Sequence, residues 1–201
     1  MKEDNQKTVF CAIITAFVMT ITPSLRAEDE SSQEYKVKAA FLYNFIKFVD
    51  WPNEKMGEPN QPIVLGIIGK DPFGNAFEPV KDKQIKDRKV VVKRLKSVAE
   101  LKKLGQSAEE ELARLIDAAK KCRLVFVCSS EQEYLNDIID PLKEHPILTV
   151  GDAKDFLHAG GIVNFVMIDN KVRFEISDAA AKRAQLKLRS QLLRLAAKVV
   201  K

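Results

Sequence analysis

Four short runs rich in β-branched residues, IVLGIIG from Ile63, KVVVKRL from Lys89, RLVFVC from Arg123 and ILTV from Ile147, are separated by amphipathic stretches. No other feature of the chain constrains its fold as strongly. Short runs that are apolar on both faces need cover on both faces, which crossover helices of a parallel sheet provide. The pattern therefore predicts an α/β fold, with a mostly parallel sheet and helices on both faces. The second crossover reads as two helical pieces, one ending at Gly105 and the next starting at Ser107. Ser107 and Glu110 have the spacing of a capping box, in which each side chain bonds the other's backbone N–H. Leu112, Leu115, Ile116 and Ala119 share one helical face, expected to pack on the sheet or its neighbour.

The last fifth of the chain changes style. Ile162–Ile168 and Lys171–Ile176 are strand-like runs joined by Asp169-Asn170, two residues that tolerate the positive φ of a tight hairpin turn. An antiparallel hairpin added to the parallel sheet is expected here. Ser177 or Asp178 can cap a terminal helical region, broken near Gln185 to Ser190. In its last part Leu188, Leu192, Leu195 and Val199 form one stripe and Lys187, Arg194, Lys198 and Lys201 another, the pattern of a basic amphipathic helix.

Near the start, YKVKAAFLYNFIKFVDWP, Tyr35 to Pro52, carries six of the chain's fifteen aromatic residues, including the single tryptophan, Trp51. Val37, Phe41, Leu42, Phe45, Phe48 and Val49 recur at helical spacing, and Pro52 ends the pattern. Lys36, Lys38, Lys47 and Asp50 along the helix argue against membrane insertion, so Phe41, Phe45 and Phe48 are expected against the sheet. The apolar surface is nevertheless broader than one sheet contact needs. The surplus at Tyr43, Ile46 and Trp51 is expected to line a groove or a subunit contact; a purely internal core helix is the competing reading.

Ahead of this helix stands a thirteen-residue apolar run, Val9 to Ile21, preceded by Lys2 and Lys7 and followed by Pro23 and a small residue at Ala27. It is short for a bilayer span, which takes about 20 residues. It reads as a secretory signal peptide covering residues 1–27, with an uncleaved helix as the alternative. The remaining 28–201 would be one domain. It holds thirty basic and twenty-six acidic residues, a net charge of +4 too mixed for a nucleic-acid binder. Residues 178–201 are locally basic, with seven cationic side chains against one acid. Export would permit disulfides. Yet Cys122 and Cys128, if on one extended strand, lie roughly 20 Å apart, beyond the about 7 Å between Cα atoms that a bridge allows. Buried unpaired thiols are expected, ahead of an intermolecular bond.

Catalytic patterns are weak. Gly66, Gly69 and Gly74 in GIIGKDPFG follow a strand, but fit neither dinucleotide nor P-loop spacing. A tight turn, with Asp71-Pro72 starting a helix, explains them. His145 and His158 lack companions at metal-ligand spacing and read as loop residues. Ser129 and Ser130 have no nucleophile-elbow context and are expected to cap a helix near Glu131. Asp152 and Asp155 are read as loop or capping carboxylates. The expectation is a protein without catalytic residues, metal or cofactor.

Several stretches together, YKVKAAFLYNFIKFVDWP, IVLGIIGKDPFG, CRLVFVCSSE, ILTVGDAKDF and GGIVNFVMIDNKVRFEIS running into AAAKRAQLKLRSQLLRLAAKV, resemble the periplasmic YfiR-like proteins. The resemblance implies a compact periplasmic α/β domain, often a homodimer, that binds the periplasmic domain of a membrane-bound diguanylate cyclase or related receptor. It implies restraint of cyclic-di-GMP signalling and so of biofilm formation, without enzyme activity. Relatives can carry an internal disulfide; Cys122 matches one cysteine position, but no partner for it stands in this chain. Phe174, Glu175, Ala179, Leu186 and Leu188 are the expected partner-facing residues. For Leu186 and Leu188, simple cover of the sheet is an equal alternative. A periplasmic small-molecule sensor with an aromatic-lined pocket is the second functional reading.

Overall fold

The structure is a computed structural model that describes residues 22–52, 61–81 and 83–201, with backbone only for 22–30. The first 21 residues of the expected signal peptide lie outside it. Helix α1 runs Thr22–Phe48 and is followed by a two-residue strand, β1, Val49–Asp50. Strands β2 (Ile63–Ile68), β3 (Gln84–Ile85), β4 (Arg88–Leu95), β5 (Leu124–Val127), β6 (Leu148–Gly151), β7 (Val163–Ile168), β8 (Lys171–Ser177), β9 (Lys187–Leu188) and β10 (Lys198–Val200) complete the strand set of the described residues. Between them lie helices α2 (Val98–Leu101), α3 (Ala108–Lys120), α4 (Leu135–Ile139), α5 (Asp178–Arg183) and α6 (Ser190–Leu195).

Eight strands form one sheet in the order β10-β8-β7-β6-β5-β2-β4-β3, and β1 pairs with β9 in a separate two-stranded ribbon. The run β4-β2-β5-β6-β7 is parallel throughout, as the β-branched runs predict. The β7–β8 pair is antiparallel, turning through Asp169 (φ 50°) and Asn170 (φ 56°), and Ser177 caps α5 by accepting the Ala180 N–H.

Each face of the sheet has its own core. On one, Ala39, Leu42, Phe45 and Ile46 of α1 pack on Phe126, Phe165, Phe174 and Ile176. The Phe45 ring lies 4.9 Å from Phe174, edge on, and 5.7 Å from Phe165, stacked, geometries that aromatic quadrupoles favour. On the other, Leu115, Ile116 and Ala119 of α3, with Leu135, Ile138 and Ile139 of α4, cover Val125 and Val127. Phe156, wholly buried, lies so close to Gly151 and Gly161 that a Cβ there would come within 2.5 Å and 2.2 Å of its ring.

Several local expectations are corrected. Ser107 makes no side-chain cap, and Glu110 bonds Arg114 four residues on. Asp71-Pro72 begins no helix; the Asp71 carboxylate accepts the Phe73 N–H in a tight turn, and a short 3-10 turn follows at Glu78–Val80. The terminal region breaks where expected, but Leu188 lies in β9 and Val199 in β10, so the basic stripe is not one helix. Pairing with β1 and β8 captures those residues, because joining an existing strand satisfies their backbone and buries apolar surface at once.

Candidate functional site

The chain passes from β2 outward to β4 and then returns to β5 on the other side of β2. The crevice beyond the carboxyl ends of strands at such a reversal is where open α/β sheets place ligands. Here Tyr35 of α1, Lys70, Asp71 and Pro72 after β2, and Ser129 and Ser130 after β5 surround an open cleft of about 410 Å³.

Two buried carboxylates organise this crevice. Asp152, directly after β6, accepts from Tyr35 Oη (2.8 Å), Lys38 Nζ (2.7 Å) and the Ser129 N–H (2.9 Å). Lys38 also meets Glu34 at 2.6 Å, and the side chains of Lys38 and Asp152 are each only 5% exposed. Glu131 is fully buried and accepts from Ser97 Oγ (2.7 Å), Ser130 Oγ (3.1 Å) and the N–H groups of Val98 and Ala99. It thereby serves as a distant cap for α2, because the first N–H groups of a helix have no partner within it. Gly69 (φ 105°) lets the two loops touch: a Cβ there would sit 2.7 Å from Ser130 Oγ and 2.8 Å from the Glu131 side chain. The Lys70 N–H donates to Ser130 Oγ at 3.0 Å.

Burial first, and the Asp152 charge second, raise the Tyr35 phenol far above its ordinary range, so it stays a hydrogen-bond donor. Burial likewise pushes the Cys128 thiol up, reinforced by Asp152 and Asp71. Cys122 is raised by burial to about 11. Both cysteines are buried and unbridged. The polar groups of the crevice are thus engaged in tying β2, β5, β6, α1 and α2 together. Ser129 and Ser130 begin a 3-10 turn whose N-cap is Cys128, which corrects their expected capping role; Asp152 is a buried ion-pair member rather than a loop carboxylate. His145 and His158 are exposed. Among the described residues no group of three or more His, Cys, Asp or Glu side chains could hold a metal ion.

The expected partner-facing residues divide. Phe174 and Leu186 are 1% and 5% exposed and belong to the core under α1, so no partner reaches them in this conformation. Glu175, one residue on, alternates to the opposite face of β8 and is half-buried; Ala179 is exposed; Leu188 is half-buried opposite Val49. The expected surplus of α1 is corrected in the same way. Ile46 and Trp51 are 1% and 8% exposed within the one chain, because Ile63 at the start of β2, Ile85 of β3, Arg88 and Arg123 close around them. Tyr43 alone stays half-exposed, its hydroxyl donating to the Gln84 carbonyl at the rim of a groove beside β4.

Sequence reasoning missed the Lys38–Asp152 pair, whose members are 114 positions apart. A signal was present: Lys38, Leu42, Phe45 and Val49 repeat at the spacing of one helix face, and a lysine on a face otherwise apolar demands a buried counter-charge.

A family model described as YfiR/HmsC-like matches residues 35–197. The crystal structure of a conserved domain protein from Vibrio cholerae O1 biovar eltor str. N16961 is similar at TM-score 0.50 and 11% identity, over 82% of this chain and 60% of that one. The ABC domain in complex with L-Trp from Streptococcus pneumonia is similar at TM-score 0.46 and 10% identity, over 69% of this chain and 55% of that one. This chain spans less than two thirds of either structure, and the first likeness shows the fold alone. A comparison with curated proteins finds no match.

Proposed function

This chain belongs to the YfiR/HmsC-like family, and from that premise we propose that it is a periplasmic regulatory protein. In this reading, residues 1–27 direct export, and the domain binds the periplasmic sensor portion of an inner-membrane diguanylate cyclase, or a related receptor, and holds it inactive. The observation that carries the reading is the extent of the family match, which runs from the middle of α1 to the edge of β10. The crevice adds support, since the carboxylates and hydroxyls that could have served catalysis hold loops and helix ends in place. The mechanism is linkage: the regulator shifts its receptor toward the inactive conformer by the difference in its affinity for the two forms. Of the expected partner-facing residues, Glu175, Ala179 and Leu188 are left to meet the receptor, and a homodimer would present them twice.

The test is affinity capture from envelope membranes with the tagged full chain, together with cyclic-di-GMP measurement in a deletion strain. Recovery of a cyclase or receptor with a periplasmic domain, and raised cyclic-di-GMP on deletion, are expected. Capture of no such membrane protein, with cyclic-di-GMP unchanged, overturns the reading.

A further inference from the structure

Strand β4 is eight residues long, yet its outer neighbour β3 pairs with only Lys89 and Arg88. Beyond them, residues 90–95 have a strand on one side only, β2, among the described residues. An unpaired run of this length offers a row of main-chain donors and acceptors, which proteins either guard or use. Beside it lies a groove of about 490 Å³ whose apolar walls include Tyr43, Phe77, Val80, Val90 and Val92. Lys89, Val90, Val91 and Val92 all line it, although consecutive strand side chains point to opposite faces. Lined by four consecutive residues of β4, the groove runs alongside the strand where its outer partner ends.

We propose that the β4 edge and its groove form a docking site for an extended, acidic peptide segment of a partner protein, which adds to the sheet as a further strand. Backbone pairing would supply affinity, and alternate apolar side chains would fill the groove, the mode of strand-addition recognition. Charge selects the partner. Lys89 and Lys93 are exposed and have no ion-pair partner among the described residues, and Arg94, though bonded to Asp71 at 2.6 Å, remains largely exposed. Lysines alone would fit a guarded edge, but a guarded edge has no use for an apolar groove alongside. A second copy of this chain is the wrong occupant, because pairing two such edges would set their cations against each other. The proposal stands whichever receptor the protein regulates.

The probe is a labelled seven-residue peptide of alternating glutamate and valine, titrated against the full chain by fluorescence anisotropy. Saturable binding is expected, with amide NMR shifts concentrated at residues 90–95. The same peptide methylated at alternate backbone nitrogens should lose that binding. A K89E/K93E variant, changed only at exposed positions, should keep its melting temperature and bind roughly tenfold more weakly or worse. Absence of binding, equal binding of the methylated peptide, or an unchanged affinity of K89E/K93E would each overturn the proposal. So would a wild-type dimer that K89E/K93E dissociates, which would make a second copy the occupant.

Discussion

Replacing Asp152 with alanine removes the acceptor of three hydrogen bonds and leaves the Lys38 ammonium, 5% exposed and 4.2 Å from the Tyr35 ring, with Glu34 as its one remaining anionic partner among the described residues. Glu34 is itself 29% exposed, so water rather than protein would have to complete the compensation. Breaking a buried pair from one side costs about 3–5 kcal/mol, mostly because an uncompensated charge stays behind. Removing both charges is far cheaper. Asp152→Ala should therefore cost about 3–5 kcal/mol, a fall of roughly 6–20 °C in Tm for a chain of this size. The pair Lys38→Met with Asp152→Ala should cost clearly less than the sum of the two single changes. Urea unfolding of the wild type, both single variants and the double variant measures the cycle. Additive losses, or an Asp152→Ala cost below about 1 kcal/mol, would refute the account of Asp152 as the organiser of the crevice.

Gly161→Ala should destabilise by about 1–3 kcal/mol, since the new Cβ meets the buried Phe156 ring at 2.2 Å; thermal unfolding decides, and a neutral change would mean that the ring can move. Ser107→Ala should cost under about 0.5 kcal/mol, while Ser97→Ala, which loses the cap of α2 and a bond to Glu131, should cost about 1 kcal/mol or more. Cys122 and Cys128 should resist a thiol reagent in the native protein at neutral pH and react together in urea, followed by absorbance. The Cys122 thiol, raised from 9.0 to about 11, contributes stability that is fully present below pH 9 and is lost as pH climbs through 11. Cys122→Ser should therefore flatten the alkaline limb of the stability curve.

How much of this was legible in the residues follows from how local each signal is. The β-branched runs announced a parallel sheet because a strand buried on both faces must be apolar at every position, and IVLGII and LVFV are. Asp169-Asn170 announced the hairpin because only a few residue types accept its positive φ. Ser177 announced a cap correctly, whereas Ser107 with Glu110 matched the same pattern without forming it. A capping box needs the cap residue in extended backbone, and the helical turn before Ser107 holds it at φ −85°, ψ −3°. Phe174 and Leu186 were legible as apolar but not as internal, since the same residue type serves a core and an interface.

The sequence by itself determined the fold class, the order of the main strands and the family resemblance, because periodicity, turn chemistry and motif order are properties of neighbouring residues. Tertiary structure alone decided that Lys38 meets Asp152, that Glu131 caps a helix some thirty residues earlier, and that β9 and β10 interrupt the terminal helix. It also decided which strand edge stays open, leaving the outer edge of β4 without a strand partner beyond Lys89 among the described residues. Those outcomes depend on charges and backbone groups finding partners across the whole chain, where the cost of an unpaired buried group outweighs any local preference.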